Sequence, residues 1–296
     1  MRYVLITAAR NEEAFLEKTI LSVTHQTALP ERWVIVSDGS TDRTDEIIRS
    51  YAARHAWIHY LRRPEHADRQ FAAKAHAFAA GRSALGTTPH DIIGNLDADL
   101  SFEPDTMEFL MARFADDPEL GVAGVPFVEE AAAPYDYRFT NIEHVSGACQ
   151  LFRRECFEAI EGYKPIKGGG IDWLAVTTAR MMGWKTRTFT DRRVLHHRKI
   201  GTGGTKGLGA LFRQGNKDHY LGNHPFWEIF RTVYQMKYKP YVIGGLAIFA
   251  GYLTSLIGRA ERPAPPEVIR FCRREQMRRL GAALGIARGA RTDGKI

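Results

Sequence analysis

Two carboxylates one residue apart, Asp97 and Asp99, stand at the end of a short apolar run in the sequence. Carboxylates with this spacing can share a hard divalent ion, and Mg²⁺ takes only one or two protein carboxylates together with substrate phosphates. Such an ion neutralises the charge that builds on a departing diphosphate. An Asp-x-Asp triplet arises by chance about once in a chain of this size. The motif therefore predicts a Mg²⁺ or Mn²⁺ site only in combination with other polar segments.

Two further polar segments follow apolar runs. Arg10 comes after the first apolar run of the chain, and Asp38 comes after the second. Asp38 can accept a hydrogen bond from a nucleobase or a ribose, whereas Arg10 or Lys74 can bind phosphate oxygens. The alternative for residues 38–40, Asp-Gly-Ser, is a turn that caps a helix.

The elements that position these residues follow from the apolar pattern. Strands are predicted at 3–6, 33–37, 57–61, 91–96, 120–127, 185–189 and 194–197. The intervening segments predict helices, one with Asn11 as its N-cap, others over 42–51 and 71–85, and one beginning near Pro104. Alternating strands and helices indicate an α/β fold with a mainly parallel sheet and helices on both faces. Ligands bind beyond the carboxyl ends of such strands, where the polar segments lie.

In this order the segments resemble the family 2 glycosyltransferases, whose nucleotide-sugar-binding domain has the GT-A fold. The resemblance covers residues 2–200. It is carried by Ala-Arg-Asn-Glu-Glu at 9–13, Val-Ser-Asp-Gly-Ser-Thr-Asp at 36–42, Asp-Ala-Asp at 97–99, Ser-Gly-Ala-Cys-Gln-Leu-Phe-Arg-Arg at 146–154, Gly-Ile-Asp-Trp at 170–173 and His-His at 196–197. It implies an enzyme that transfers a sugar from a nucleotide-sugar donor with inversion and requires Mg²⁺ or Mn²⁺.

The resemblance also implies roles for individual residues. Asp38 would bind the nucleobase, and Asp97 and Asp99 would bracket the nucleotide and the metal ion. Ala8 and Arg10 stand where the family commonly has Pro and Tyr, so Arg10 would contact base or phosphate. The implied donor-binding residues are Ala8, Arg10, Glu12, Asp38, Lys74, Asp97 and Ala98, and the implied acceptor-binding residues are Ser146, Gly147 and Trp173. The segment 146–154 is predicted to begin a helix beneath the sugar.

Asp172 is the one carboxylate at the position of the family's usual acidic pair, because its neighbour is Ile171. The resemblance makes Asp172 the general base that takes the proton of an acceptor hydroxyl. A glycine run at 168–170 lets this segment approach a ligand closely, and the N-terminus of the following helix favours an ionised carboxylate. The alternative is that Asp172 only caps that helix.

His196 and His197 follow the last predicted strand of the first 200 residues. In the family a histidine near this position often completes the metal site, and imidazole suits Mn²⁺ better than Mg²⁺. Either histidine can be the ligand, and the alternative is that both are simply exposed. The basic segment 198–206 is either a loop that closes over a diphosphate or a plain linker.

Charge is distributed unevenly along the chain. Residues 1–190 contain 21 Lys and Arg against 27 Asp and Glu, whereas residues 191–296 contain 20 against 7. This asymmetry predicts that the C-terminal third faces something anionic, such as lipid headgroups, nucleic acid or a diphosphate ligand. Together with the resemblance it predicts a catalytic domain over 1–205 and a basic helical region over 206–296 that faces an anionic membrane surface. Nucleic acid is disfavoured, because no recognised binding module accompanies the charge. A solvated basic surface without a partner is the alternative.

Two C-terminal segments suit a membrane surface. Residues 241–257 carry no charge, but their length favours a helix in the interface, or packed on the protein, over a span. Residues 267–284 predict a basic amphipathic helix, either an interfacial anchor or a helix salt-bridged to the acidic first domain. The Gln-x-x-Arg-Trp signature of processive relatives is absent from 213–220, which favours addition of one sugar.

Composition and cysteine usage indicate which structural class the protein belongs to and in which cellular compartment it is expected. With 44% hydrophobic and 25% charged residues, the chain is outside the disordered and fibrous classes. Three cysteines without a pairing pattern, and an N-terminus that turns polar too early for a secretory signal, predict a cytoplasmic protein, peripheral at the inner membrane face. The predicted activity is metal-dependent, inverting transfer of one sugar to a lipid-linked or polysaccharide-precursor acceptor. The alternatives are a nucleotidyltransferase and a catalytically silent glycan-binding or scaffold subunit.

Overall fold

The computed structural model describes residues 1–65, 71–128, 141–166, 168–198 and 207–285. The chain divides into two compact units, residues 1–199 and residues 200–296, which we name unit 1 and unit 2. The domain boundary predicted at residue 205 lies outside the described residues. Of the basic segment 198–206, the structure describes only Arg198.

Unit 1 is built on two sheets. Its strands are β1 (Tyr3–Ala9), β2 (Arg32–Asp38), β3 (Ile58–Arg63), β4 (Ile92–Leu96), β5 (Leu100–Phe102), β6 (Leu120–Gly124), β7 (Phe127–Val128), β8 (Cys149–Arg153), β9 (Lys185–Thr188) and β10 (Val194–His196). Seven strands form one sheet in the order β3-β2-β1-β4-β8-β6-β9, and a small sheet has the order β5-β10-β7. In the large sheet β8 runs antiparallel to β4 and β6, and the other neighbours are parallel. The predicted mainly parallel sheet is confirmed.

Helices cover both faces of the large sheet, as predicted. The helices of unit 1 are α1 (Leu16–Thr24), α2 (Thr44–Arg54), α3 (Phe71–Ala84), α4 (Thr106–Asp116), α5 (Arg154–Ala159) and α6 (Ile171–Met181). Successive side chains of a strand point to opposite faces. On β1, Leu5 packs in the cluster that contains Leu16 of α1, whereas Val4 and Ile6 pack in the cluster that contains Phe78 of α3. Burial on both faces explains why these strands are continuous apolar runs in the sequence.

Two predicted elements near the site are wrong. The segment 146–154 is mainly a strand, β8, which pairs with β4 on one edge and β6 on the other, and only its last residue, Arg154, belongs to a helix, α5. Pairing on both edges satisfies the backbone groups of a segment whose side chains are almost all buried. The strand predicted over 120–127 is interrupted, since β6 ends at Gly124 and β7 begins at Phe127 in the other sheet.

Asn11 joins the polar segments that follow β1 and β2. The prediction that Asn11 caps a helix is wrong, because α1 begins at Leu16 and the φ of Asn11 is 55°, in the left-handed region. Asn11 Oδ1 accepts a hydrogen bond from the Thr41 backbone N–H at 2.8 Å, and the Asn11 N–H donates to Ser40 Oγ at 3.2 Å. These bonds hold the two loops beside each other at the carboxyl edge of the sheet.

Unit 2 is helical in its described residues. Its helices are α7 (Leu208–Tyr220), α8 (Pro225–Gln235), α9 (Tyr241–Ile257) and α10 (Pro266–Ala283). Helices α7 and α9 cross at two buried glycines, Gly215 and Gly251, where the two backbones are in contact. Among the described residues, no helix combines the length and the apolar character that crossing a membrane requires.

A pair of buried acids, Asp218 of α7 and Glu228 of α8, lies inside unit 2. Arg231 donates to Asp218 Oδ1 at 2.6 Å, and Asn223 Nδ2 donates to Glu228 Oε2 at 3.1 Å. Burial, and then the neighbouring charge of Asp218, raises the pKa of Glu228 to about 7. The folded protein therefore holds a proton that the unfolded chain releases at lower pH.

The variant Glu228→Gln is expected to raise stability at pH 8 and to leave it nearly unchanged at pH 5. Because the pKa of Glu228 is higher in the folded state, stability falls as pH rises from about 4.5 through about 7. Glutamine removes this loss, which amounts to about 2–3 kcal/mol. The measurement is the midpoint of thermal unfolding between pH 5 and 8. Exposed Glu267, replaced by Gln, provides the matched control, and a Glu228→Gln shift independent of pH would contradict the assignment.

Candidate active site

The triplet Asp97-Ala98-Asp99 forms the connection between β4 and β5, at the carboxyl end of β4. His196 ends β10, which pairs antiparallel with β5 so that His196 lies opposite Leu100. This register brings a histidine from far along the chain to the triplet. One ligand atom from each of Asp97, Asp99 and His196 lies within 4.8 Å of the other two.

These three side chains fit a divalent cation that accepts both oxygen and nitrogen ligands, as Mn²⁺ does. His196 Nε2 lies 3.5 Å from Asp99 Oδ1, and His196 Nδ1 hydrogen-bonds the carbonyl oxygen of Arg198, which fixes the ring. Burial, and then the charge of Asp97, raises the pKa of Asp99. Neighbouring carboxylates repel each other unless a cation lies between them, so the site favours a positive ion.

The structure distinguishes the two adjacent histidines. His197 Nε2 lies 3.0 Å from Ser101 Oγ, and the His197 ring stacks on Phe15 with 6.1 Å between the ring centroids. Within the described ranges, the group of possible ligand atoms contains His196 and does not contain His197. His196 is therefore the candidate metal ligand of the pair, and His197 supports the loop behind it through its own backbone N–H, which donates to Asp99 O at 2.9 Å.

Lys74 of α3 connects the acidic triplet to Asp172. Lys74 Nζ donates to Asp97 Oδ1 at 2.5 Å and to Gly147 O at 3.4 Å, and the Gly147 N–H donates to Asp172 Oδ2 at 3.1 Å. Burial alone would lower the pKa of Lys74, but the carboxylates of Asp97, Asp172 and Asp99 outweigh burial and raise it. The ammonium group of Lys74 is therefore paired with Asp97 and is stabilised further by the charges of Asp172 and Asp99.

Asp172 lies in the first turn of α6 rather than at its cap. Helix α6 begins at Ile171, and its N-cap is Gly170 with a φ of 91°, so the alternative that Asp172 only caps the helix is wrong. A Cβ on Gly147 would lie 2.9 Å from Asp172 Cβ, so this approach requires glycine. The Gly147 N–H and the first turn of α6 together fix the position of the Asp172 carboxylate.

Asp38 lies at the end of β2 beside Arg63 at the end of β3. The strand register places the two residues opposite each other, and Arg63 Nη1 donates to the buried Asp38 carboxylate, Oδ1, at 2.5 Å. Sequence reasoning missed Arg63. Neither segment alone carries a signal for Arg63, because the contact depends on the register that pairs Trp33 with Ile58 and therefore Asp38 with Arg63. The pair presents an acceptor and donors next to each other.

Glu12 is held beside the triplet by Arg198, which the sequence analysis placed in the basic segment 198–206 without assigning it a partner. Arg198 Nη2 donates to Glu12 Oε2 at 2.5 Å, and Arg198 Nε lies 3.6 Å from Asp99 Oδ2. Burial raises the pKa of Glu12 to about 7, with Asp99 and Asp97 adding to the increase and Arg198 opposing it. Arg198 therefore joins the loop after β1 to the candidate metal site.

The other predicted site residues lie in the same loops and strand ends. Ala8 is in β1 and Arg10 follows it, and both are half-buried, whereas Ala98 is buried within the triplet. Ser146 precedes Gly147, and its Oγ accepts the Ala148 N–H at 3.3 Å. Trp173 follows Asp172 in α6 and is half-buried.

Part of the sequence matches a known protein family, and the fold resembles that of solved structures. Residues 4–138 match the family described as Glycosyl transferase family 2. No curated protein matches the chain significantly. Among solved structures, the mannosyltransferase PcManGT from Pyrobaculum calidifontis, in complex with GDP-Man and Mn²⁺, superposes with a TM-score of 0.57 at 22% identity, over 97% of this chain and 81% of that one.

Two other solved structures share the fold at lower identity. TarS 1–349 from S. aureus, in complex with UDP-GlcNAc, has a TM-score of 0.56 and 12% identity, over 87% of this chain and 73% of that one. GalNAc-T7 with UDP, GalNAc and Mn²⁺ has a TM-score of 0.57 and 13% identity, over 88% of this chain and 55% of that one. At these identities the likeness concerns the fold.

Proposed function

We propose that the chain, whose residues 4–138 match the family described as Glycosyl transferase family 2, is a glycosyltransferase of GT-A fold that transfers one sugar from a nucleotide-sugar donor with inversion. Asp172 is the general base, and Asp97, Asp99 and His196 hold Mg²⁺ or Mn²⁺. One observation carries the proposal. Lys74 and Gly147 join Asp172 to the acidic triplet by three hydrogen bonds, so the base and the candidate metal site lie around one small space.

The metal ion, when bound, would neutralise charge on the nucleoside diphosphate as it leaves. Asp97, Asp99 and His196 supply its ligands, with Mn²⁺ the better match to the imidazole. Lys74 holds Asp97 in place, and Arg198 spans Glu12 and Asp99. The ammonium group of Lys74 and the guanidinium group of Arg198 both lie close enough to the triplet to limit the repulsion among its carboxylates.

Asp172 takes the proton of the acceptor hydroxyl as that oxygen attacks the anomeric carbon. The Gly147 N–H holds one carboxylate oxygen of Asp172 in place, and the other oxygen takes the proton of the hydroxyl. Attack from the face opposite the leaving diphosphate is a single displacement. An α-linked nucleotide sugar therefore gives a β-linkage. Ser146, Gly147 and Trp173 adjoin this carboxylate on the acceptor side.

Asp38 and Arg63 bind the nucleobase. A carboxylate accepts from a ring N–H, and the adjacent guanidinium donates to a ring carbonyl, so the pair matches a base edge that carries N–H beside C=O. Uracil and guanine present that edge, whereas the ring nitrogens of adenine and cytosine at the same place are acceptors. Ala8, Arg10, Glu12 and Ala98 complete the donor side of the site.

The acceptor is a lipid-linked or polysaccharide-precursor saccharide at the inner face of the cytoplasmic membrane. The basic C-terminal region supports an anionic membrane surface as partner, because basic segments are attracted to anionic headgroups. The lack of a Gln-x-x-Arg-Trp signature at 213–220, a segment that lies in α7, supports addition of a single sugar. A nucleotidyltransferase is disfavoured by the family match, and a silent scaffold would have no use for the arrangement of Asp172, Lys74 and the triplet.

Addition of Mn²⁺ with UDP or GDP is expected to raise the midpoint of thermal unfolding. A ligand that binds only the folded state stabilises it by mass action, by about 2.7 kcal/mol at a hundredfold excess over its dissociation constant. ADP and CDP should give smaller shifts, because they lack the N–H beside C=O edge. The chelator EDTA, or the substitution Asp99→Asn, should abolish the metal-dependent part of the shift.

The matched control for this experiment is Asp105→Asn. Asp105 pairs with Arg192 at 2.6 Å, away from the triplet, and should respond to nucleotides as the wild type does. If no nucleoside diphosphate shifts the midpoint of a folded protein in the presence of Mn²⁺, the proposed donor site is wrong. Release of nucleoside diphosphate from the matching nucleotide sugar then tests the reaction itself.

A further inference from the structure

Exposed apolar side chains are concentrated in unit 2. Of the fifteen large apolar side chains that the described residues expose, eleven lie in unit 2. The four in unit 1, Met1, Leu21, Leu29 and Met182, are scattered along its sequence. Single exposed apolar residues are ordinary on protein surfaces, but a concentration of them marks a contact with a partner or a membrane.

Helix α9 has no charged face. None of its 17 residues carries a charge, and one side, with Gly244, Gly245, Ile248, Gly251 and Tyr252, is buried. The other side exposes Val242, Leu246 and Ile257, which are 55%, 52% and 78% exposed. A helix without a polar face is expected inside a protein or a bilayer, not against water.

Helix α8 adds a second apolar stripe next to α9. Phe226, Ile229 and Val233 stand three and four residues apart, and therefore on one face of the helix, and all three are exposed. The two helices are in close contact, since a Cβ on Gly245 of α9 would lie 2.6 Å from Thr232 O of α8. We name the exposed apolar residues of the two neighbouring helices the α8–α9 apolar surface; they are Phe226, Ile229, Val233, Val242, Ile243 and Leu246.

Charge decides which partner fits this surface. Exposed Lys237 and Lys239 lie in the connection between α8 and α9, with exposed Tyr238 between them. Residues 207–285 contain twelve Lys and Arg against five Asp and Glu, and two of those acids are the buried Asp218 and Glu228. Basic and aromatic residues beside an apolar face match the anionic headgroup region of a bilayer. A second copy of unit 2 at this surface would instead place positive charges opposite positive charges.

Helix α10, the anchor that the sequence predicted, does not offer an apolar face. Its apolar side, with Val268, Cys272 and Leu280, is already buried in the fold. Its exposed arginines, Arg270, Arg274 and Arg278 among them, can still attract anionic lipid. The prediction that 267–284 inserts into a membrane as an amphipathic anchor is therefore wrong. A part of unit 2 that inserts into a bilayer must lie outside α10.

We infer that the α8–α9 apolar surface inserts into the interfacial region of an anionic bilayer, with Lys237 and Lys239 against the headgroups. The inference rests on the proposed function, which includes an acceptor at the membrane. It adds to that function the surface by which the enzyme binds the lipid. Insertion of apolar side chains supplies attraction that is independent of salt, and the lysines supply the part that depends on anionic lipid and ionic strength.

The test is co-sedimentation of the full chain with vesicles of phosphatidylcholine alone or with 30% phosphatidylglycerol. The wild type is expected to bind the anionic vesicles at least about tenfold more tightly. The double variant Val242→Ser/Leu246→Ser should weaken binding to anionic vesicles by about tenfold or more, because two apolar side chains no longer insert. Lys237→Gln/Lys239→Gln should weaken binding to anionic vesicles and make it less sensitive to salt.

Leu21→Ser is the matched control, since Leu21 is exposed in unit 1 and should leave vesicle binding unchanged. Thermal unfolding and the shift with UDP or GDP and Mn²⁺ are measured on every variant. A nucleotide shift that stays intact while vesicle binding falls separates this surface from the donor site. Wild-type vesicle binding by the Val242→Ser/Leu246→Ser variant, no vesicle binding by the wild type, or a dimer that forms through these residues instead would each overturn the inference.

Discussion

Replacement of Asp172 by Asn is expected to lower sugar transfer by about 10²–10⁴-fold, the range that a general base contributes. Asparagine has nearly the same shape, and its side-chain oxygen can still accept the Gly147 N–H that Asp172 Oδ2 accepts at 3.1 Å. It cannot take a proton from the acceptor hydroxyl. Donor binding should change by less than about threefold, or less than about 1 kcal/mol, since Asp172 accepts its hydrogen bond from Gly147, a candidate acceptor residue.

The experiment compares nucleoside diphosphate release in the presence of acceptor with the dissociation constant of the donor. Asp191→Asn is the control for carboxylate removal in unit 1, because Asp191 lies in the turn before β10 and outside the triplet. A folded Asp172→Asn protein with undiminished turnover would remove Asp172 from the mechanism. Equal losses of donor binding and turnover would instead make Asp172 a residue that shapes the site.

The carboxyl edge of the sheet could be predicted because its signals are local. Each of the strands β1, β2 and β4 is an apolar run followed at once by polar residues, so Asp38 and Asp97 could be assigned to strand ends without any tertiary information. Parallel strands then require those ends to meet at one edge of the sheet. Asp172 and the pair His196 and His197 were found differently, through the order of motifs that resembles family 2, and only the structure distinguishes the two histidines.

Side chains that depend on long-range register could not be predicted. Arg63 reaches Asp38 because β2 and β3 pair in one particular register, and Arg198 reaches Glu12 across 186 residues of sequence. No periodicity within a segment carries that information. The helix prediction for the segment 146–154 was wrong for the same reason. The strand β8 forms there because it pairs with two antiparallel neighbours that lie elsewhere in the chain.

The glycines of α9 had a different meaning in the sequence from the one they have in the structure. In the sequence they dilute the apolar character of 241–257 and disfavour a membrane span. In the structure a Cβ on Gly251 would lie 1.9 Å from Phe212 O of α7, and a Cβ on Gly215 of α7 would lie 1.8 Å from Ile248 O of α9. The two glycines therefore let two helix backbones touch, which only the fold of unit 2 reveals.

Gly251→Ala is therefore expected to destabilise unit 2, by about 2 kcal/mol or more. Helix propensity alone predicts the opposite sign, because alanine in a helix interior is favoured over glycine by about 1 kcal/mol. The added methyl group meets backbone atoms of α7, which cannot move aside as a flexible side chain can, so the two helices must separate. Hydrogen exchange of the amides in α7 and α9 measures the loss locally.

Ala250→Ser provides the matched control, because Ala250 precedes Gly251 in α9 but is exposed and should change stability by less than about 0.5 kcal/mol. Gly215→Ala, at the other contact point of the same crossing, should reproduce the effect of Gly251→Ala. The double variant Gly215→Ala/Gly251→Ala should lower the free energy of unfolding by less than the sum of the two single variants, since one separation of the helices relieves both contacts. If Gly251→Ala instead stabilised the protein as propensity predicts, the close crossing of α7 and α9 would be refuted, and with it the exposed position of the opposite face of α9.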